Sequence, residues 1–214
     1  NVNLVTALEH SINAVFCEIG KTIGAGRILG ASKQFGFYED PPLETPGNER
    51  SPSGLYNRGK LFYPSNPATQ VDPGRLAFGQ ERMLTTPLQM AMVAAGVANS
   101  GVVMRPYVVG RVTGPGGGVI SRAHPHKFKR AMRTSTAQAI NRMMQAVVTG
   151  GTGTAAQIPG IRVAGKTGTA ETGGALNTTW FIAFAPADSP RYAIAVVLQD
   201  QTGAGIGERR AGHA

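Results

Sequence analysis

The sequence is short of acidic residues, of cysteine and of long apolar runs. Asp and Glu number 12 against 21 Lys and Arg, a formal net charge of +9. That balance favours an anionic setting: nucleic acid, an acidic polymer or a charged membrane surface. The positive charge is dispersed, however. Its densest cluster, Lys127, Lys129, Arg130 and Arg133, has Phe128 as its only aromatic. Nucleic-acid binding calls for a basic stripe interleaved with aromatics, so no nucleic-acid partner is expected. A single cysteine, Cys17, excludes an internal disulfide. It follows Ala14, Val15 and Phe16 and reads as a core residue rather than a nucleophile, since His10 is the one histidine near it. His10, His124, His126 and His213 show no ligand spacing with Cys, Asp or Glu, so neither a metal nor another cofactor is implied. No apolar run approaches a membrane span, and no signal peptide is recognisable.

What remains is a foldable chain. Of 214 residues, 42% are hydrophobic and only 15% charged, enough for one domain with a real core. The 29 glycines and 14 prolines assign much of the rest to loops. The chain opens on Asn1 inside an apolar-periodic segment and closes on Ala214 after a glycine-rich run. Both ends are expected to be cuts in a longer protein.

The spacing of Leu4, Val5 and Leu8 predicts the end of a helix over 2–9. Ser11-Ile12-Asn13 interrupts it, because Ser and Asn compete for backbone hydrogen bonds and favour helix boundaries. Further helices are predicted over 13–20 and 25–34. Periodicity then dissolves, and 38–75 reads as a proline-rich excursion bordering a site. Thr86, Pro87 and Gln89 predict a capping box that opens a buried central helix, stopped by Gly101. An extended stretch is predicted over 102–112, and a turn over 115–118. Ser135 and Gln138 suggest a second capping box, ahead of Ile140, Met143, Met144 and Val147 at helical spacing. From 161 to 199 three strand-like runs follow, 161–170, 178–185 and 192–199, joined by short turns and covered on both faces. Helices first and an antiparallel sheet afterwards give an α+β fold, an antiparallel sheet flanked by helices.

The chemistry gathers at Val163-Ala164-Gly165-Lys166-Thr167-Gly168-Thr169-Ala170-Glu171. On a strand, Lys166 and Gly168 share one face and Thr167 and Thr169 the other. At a sheet edge the backbone N–H groups are also open to a ligand. A cation, two hydroxyls and an open edge suit an anionic, peptide-like substrate. Taken singly, the bland readings are helix capping for Ser11 and Asn13 and strand propensity for the threonines.

Taken together and in order, Ser11-Ile12-Asn13 and Lys166-Thr167-Gly168-Thr169 resemble the S-x-N and K-T-G motifs of the penicillin-binding protein and serine β-lactamase superfamily. Leu76-Ala77-Phe78-Gly79-Gln80, Thr85-Thr86-Pro87-Leu88-Gln89-Met90-Ala91 and Ala98-Asn99-Ser100-Gly101 are similar to the central helix region of its class B members. Before and after the lysine motif, Gly151-Thr152-Gly153-Thr154-Ala155-Ala156 and Trp180-Phe181-Ile182-Ala183-Phe184-Ala185-Pro186 are similar to the same class. The resemblance covers most of the chain outside the proline-rich middle. It implies that 1–214 is the C-terminal part of one transpeptidase domain, incomplete at both ends.

The departure from the pattern is large. The family's nucleophile lies in an S-x-x-K motif before S-x-N, and no serine here has lysine three residues later. The nucleophilic serine and its lysine are expected on a missing N-terminal segment, and this fragment alone is expected to be inactive.

By resemblance, Ser11 relays a proton between that lysine and Lys166. Asn13 holds the substrate's backbone amide, and Lys166 raises the local positive potential. Thr167 and Thr169, flanking Gly168, bind a carboxylate, and the Thr169 N–H supplies half of an oxyanion hole.

The implied activity is peptidoglycan D,D-transpeptidation by serine acyl transfer. The donor would be a stem peptide ending in D-Ala-D-Ala, and β-lactams would be covalent inhibitors. Implied partners are the missing part of the domain and cell-wall proteins such as a glycosyltransferase. The implied location is the outer face of the cytoplasmic membrane, held by an N-terminal anchor helix outside this sequence. Three alternatives stay open: a D,D-carboxypeptidase or β-lactamase, a penicillin-sensing receptor domain without turnover, and an inactive interaction surface. Glu44 and Asn48 resemble the water-positioning pair of class A β-lactamases, but their proline-rich setting reads as loop.

Overall fold

The computed structural model describes residues 2–171 and 176–202. Three helices come first: α1 (Leu4–Glu9), α2 (Asn13–Ile23) and α3 (Ala25–Gln34). Asn3 caps α1 by accepting the Thr6 N–H. α2 runs one turn beyond the sequence expectation, because Gly20 lies buried against Pro73 and Ala77 rather than ending the helix.

The proline-rich stretch is not structureless, which corrects the sequence expectation. It carries a 3₁₀ turn (Gly47–Glu49), β1 (Gly54–Asn57), β2 (Lys60–Leu61), α4 (Pro67–Gln70) and α5 (Pro73–Ala77). With β3 (Met83–Leu84), β1 and β2 form a small antiparallel sheet in the order β2-β1-β3. Pro67 and Pro73 open helices, where a missing N–H costs nothing. Asn66 and Asp72 supply the caps. Prolines that read as breaks are thus helix starts. Tyr38, Leu55, Val71 and Leu76 tie this region to Leu29 of α3 in one apolar cluster.

The helix α6 (Pro87–Ala98) is the buried helix expected, packed on β4 (Val102–Met104) and the main sheet. Thr86 caps it by accepting the Gln89 N–H at 3.1 Å. The capping box is only half made. Gln89 is 2% exposed and donates its side-chain amide to Phe35 O, while the Thr86 N–H goes to Ser53 Oγ. Two antiparallel ribbons follow: β5 (Arg111–Thr113) with β6 (Val119–Arg122), and β4 with β7 (Lys127–Arg130). The second predicted capping box does not form. α7 (Thr134–Thr149) starts before Ser135, and Arg133 closes its first turn through the backbone.

The main sheet is β10-β9-β8, antiparallel throughout, built from β8 (Ala164–Glu171), β9 (Leu176–Ala185) and β10 (Tyr192–Thr202). The β9–β10 hairpin lies where predicted; the β8–β9 turn lies outside the described residues. Cross-strand partners share a face, so Ala164, Lys166 and Gly168 lie with Phe184, Ile182 and Trp180. Gly165, Thr167 and Thr169 lie with Ala183, Phe181 and Thr179 on the other. Ala164 and Phe184 pack with Val97 of α6 and Met144 of α7. Phe181 and Ala183 pack with Val148 and Val163. Burying each phenylalanine stabilises the sheet by about 2–3 kcal/mol. A Cβ on Gly165 would stand 2.6 Å from the Phe181 ring, so glycine there lets the ring lie across β8. The result is the α+β fold expected, with β8 as an edge among the described strands.

Candidate active site at the edge of strand β8

Ser11 sits between α1 and α2 at φ 54°, in the left-handed region. Its N–H donates to Leu8 O at 3.2 Å, and the Ile12 N–H to Ala7 O at 2.9 Å. This pair of bonds is a Schellman ending with Ser11 where glycine is usual. A serine there costs about 1–2 kcal/mol relative to an unstrained backbone. The strain aims the side chain at the sheet: Lys166 Nζ donates to Ser11 Oγ at 2.8 Å, across 155 residues of sequence. The same ammonium donates to Thr167 O at 2.7 Å.

Asn13 is exposed as the first residue of α2 and lines the same cleft. Neither Ser11 nor Asn13 caps α2, whose N-cap residue, Ile12, makes no side-chain capping bond. The bland reading of this pair as side-chain N-caps therefore fails, although the Ser11 backbone does end α1. Thr167, Gly168 and Thr169 line the cleft from the strand side, and its volume is about 630 Å³. All six sequence-predicted site residues thus meet in one place.

The open edge of β8 can be read from its carbonyls. Thr167 O accepts from Lys166, and Thr169 O from Gln80 Nε2 at 3.0 Å, both away from β9. The N–H and C=O of a strand residue leave on the same side. The Thr167 and Thr169 N–H groups therefore face the open edge as well. The Thr169 Oγ1 is buried with no partner among the described residues, as is Thr179 Oγ1 across the ladder. A hydroxyl so placed costs about 1–3 kcal/mol until something meets it.

Two contacts had no assigned role at the level of sequence. Gln80 binds the edge carbonyl of Thr169. Thr152 places its hydroxyl 2.6 Å from Thr167 Oγ1. The G-T-G-T repeat at 151–154 marked the second segment without indicating what it touches. Among the described residues no cluster of His, Cys, Asp and Glu could hold a metal ion.

The whole sequence from 1 to 213 matches the family model described as penicillin binding protein transpeptidase domain. The chain belongs to this family. The transpeptidase-domain match extends to full-length relatives. Peptidoglycan D,D-transpeptidase PbpA of Mycolicibacterium smegmatis is 35% identical over 205 residues, which are 93% of this chain and 39% of that protein. Stage V sporulation protein D of Bacillus subtilis is 29% identical over 203 residues, covering 92% of this chain and 30% of that one. Solved transpeptidase structures superpose closely. The D,D-transpeptidase domain of a peptidoglycan glycosyltransferase from Eggerthella lenta gives a TM-score of 0.81 at 34% identity, over 99% of this chain and 52% of that one. The imipenem acyl-enzyme complex of penicillin-binding protein A from M. tuberculosis gives 0.82 at 31% identity, over 99% and 45%. The chain thus spans 39% of the length of the M. smegmatis relative and about half of these solved chains.

Proposed function

We propose that this chain is the C-terminal part of a class B serine D,D-transpeptidase domain that cross-links peptidoglycan stem peptides. The observation that carries the reading is the Lys166–Ser11 contact at 2.8 Å, made beside a strand edge that is open to a ligand. The acylating serine and its lysine come from an S-x-x-K segment outside this sequence. An apolar hollow of about 330 Å³ beside Lys166 and Gly168, lined also by Ile28, Leu76 and Trp180, suits the apolar side of such a segment.

The serine oxygen bonds to the penultimate D-alanine carbonyl of the donor stem, and the bond to the terminal D-alanine breaks. Ser11 passes the serine's proton to the departing amine, because a hydroxyl can accept and donate in one step. Lys166 keeps the Ser11 oxygen oriented and the site positive. Asn13 holds the donor's backbone amide. Thr167 and Thr169 meet its terminal carboxylate, and the Thr169 N–H is one of two oxyanion donors. An amine of a second stem peptide then takes the acyl group. A β-lactam acylates the same serine. Peptidoglycan is handled outside the cytoplasmic membrane, so we place the parent there, anchored by a segment outside this sequence and working with a glycosyltransferase. Among the described residues no helix is long and apolar enough to cross a membrane.

Water as acceptor would make the parent a carboxypeptidase or β-lactamase. Glu44 argues against the latter: its carboxylate accepts the Val108 N–H at 3.3 Å, outside the cleft lining. The test is to join this chain to its S-x-x-K segment and expose it to a fluorescent penicillin. Covalent labelling is expected, and product analysis should show amine transfer outrunning hydrolysis. An intact domain that takes up no label would sink the reading.

A further inference from the structure

We propose that Thr152 is a positioning residue for carboxylate recognition: its hydroxyl sets the direction in which Thr167 offers a proton to the ligand. The inference rests on the reading above, in which Thr167 meets a carboxylate.

The two hydroxyl oxygens lie 2.6 Å apart, and either could donate. Each has one proton and two acceptor sites. A carboxylate can only accept. When it arrives at Thr167, the Thr167 proton must turn to it, and Thr152 must then donate to Thr167. The order Thr152–Thr167–carboxylate is the one arrangement that uses both protons. A donor behind Thr167 also polarises its O–H toward the ligand. Thr167 is 3% exposed, so bulk water is a poor substitute for that donor.

The turn carrying Thr152 is held on both sides. Its N–H donates to Glu9 O at 3.2 Å, next to the end of α1 that presents Ser11. The Gly151 and Gly153 N–H groups both donate to Val147 O, at 3.2 and 3.0 Å. A Cβ on Gly151 would fall 2.2 Å from Glu9 O, so the turn lies directly against the chain that leads to Ser11. Thr152 is not among the residues lining the cleft and acts through Thr167. One short segment thereby links the Ser11 helix end to the carboxylate-facing threonine.

The test uses the domain together with its S-x-x-K segment. Second-order acylation constants are measured for a penicillin and for its methyl ester, which lacks the carboxylate charge. Thr152→Val should slow the acid by about threefold to tenfold, the weight of one net hydrogen bond, and leave the ester nearly unchanged. Thr152→Ser should restore the wild-type ratio of acid to ester. If valine disturbs the turn, Thr152→Ala compared with Thr152→Ser gives the same contrast. Equal slowing of acid and ester, or no change in either, would overturn the proposal and leave Thr152 a purely structural clasp. Thr167→Val separates the two levels. If it lowers the acid-to-ester ratio and Thr152→Val does not, the positioning role fails alone. If Thr167→Val leaves the ratio unchanged, the carboxylate reading itself fails.

Discussion

Lys166 donates to Ser11 across 2.8 Å, and the serine that receives it stands in a backbone conformation that glycine would occupy more cheaply. The two facts belong together. The left-handed turn and the ammonium contact together fix the Ser11 oxygen at the cleft. Joined to its S-x-x-K segment, a Lys166→Ala variant should acylate with a β-lactam at least about 100-fold more slowly, the usual scale for losing a group that assists proton transfer. Lys166→Arg should not rescue it, since a planar fork cannot meet the Ser11 and Thr167 oxygens as one ammonium does. Wild-type rates in Lys166→Ala would remove Lys166 from the mechanism.

The strain itself can be measured apart from the chemistry. Ser11→Ala and Ser11→Gly both lose the hydroxyl, but only glycine accepts φ 54° without penalty. Ser11→Gly should therefore be more stable than Ser11→Ala by about 1 kcal/mol in denaturant unfolding. Both should be equally impaired in acylation. Equal stability of the two would mean that the left-handed turn relaxes.

Much of this arrangement was legible beforehand, and the misses have physical causes. The K-T-G strand is readable because alternation alone fixes which side chains share a face, and the register of β8 on β9 keeps that alternation. The left-handed turn at Ser11 was not legible, since a serine, unlike a glycine, gives no sequence signal for φ 54°. The Ser135 box failed because α7 already begins at Thr134, and the return bond from Gln89 failed for a different reason. Gln89 had a distant carbonyl to satisfy at Phe35, and such tertiary demands leave no local trace. The stretch after Tyr38 misled because Pro67 and Pro73 start helices as readily as they end them.

Tyr38 offers a pH-dependent signature of that region. Burial holds its phenol above the ordinary value, although the Leu55 N–H donating to its oxygen works in the other direction. The folded state thus keeps this proton after the unfolded chain has released it. The contribution to stability is complete below about pH 10 and is lost as pH rises through the folded value. Tyr38→Phe should flatten the fall in unfolding midpoint as pH rises above about 10. An unchanged slope would show that Tyr38 ionises like an exposed tyrosine.

Gly151 provides the sharpest packing test, because it faces backbone rather than a movable side chain. An added Cβ would stand 2.2 Å from Glu9 O and 2.8 Å from its Cγ. Gly151→Ala must therefore push the end of α1 away from the turn after α7. The overpacking should cost about 1–3 kcal/mol, or roughly 2–12 °C in Tm for a chain of this size. The shift also moves Ser11, two residues beyond Glu9, so acylation should fall more than stability alone explains. Gly26→Ala is the control: a Cβ there meets nothing within 4 Å, and helix propensity should make it stabilising by about 0.5–1 kcal/mol. A Gly151→Ala protein that melts and acylates like wild type would show that the contact between this turn and α1 does not hold Ser11 in place.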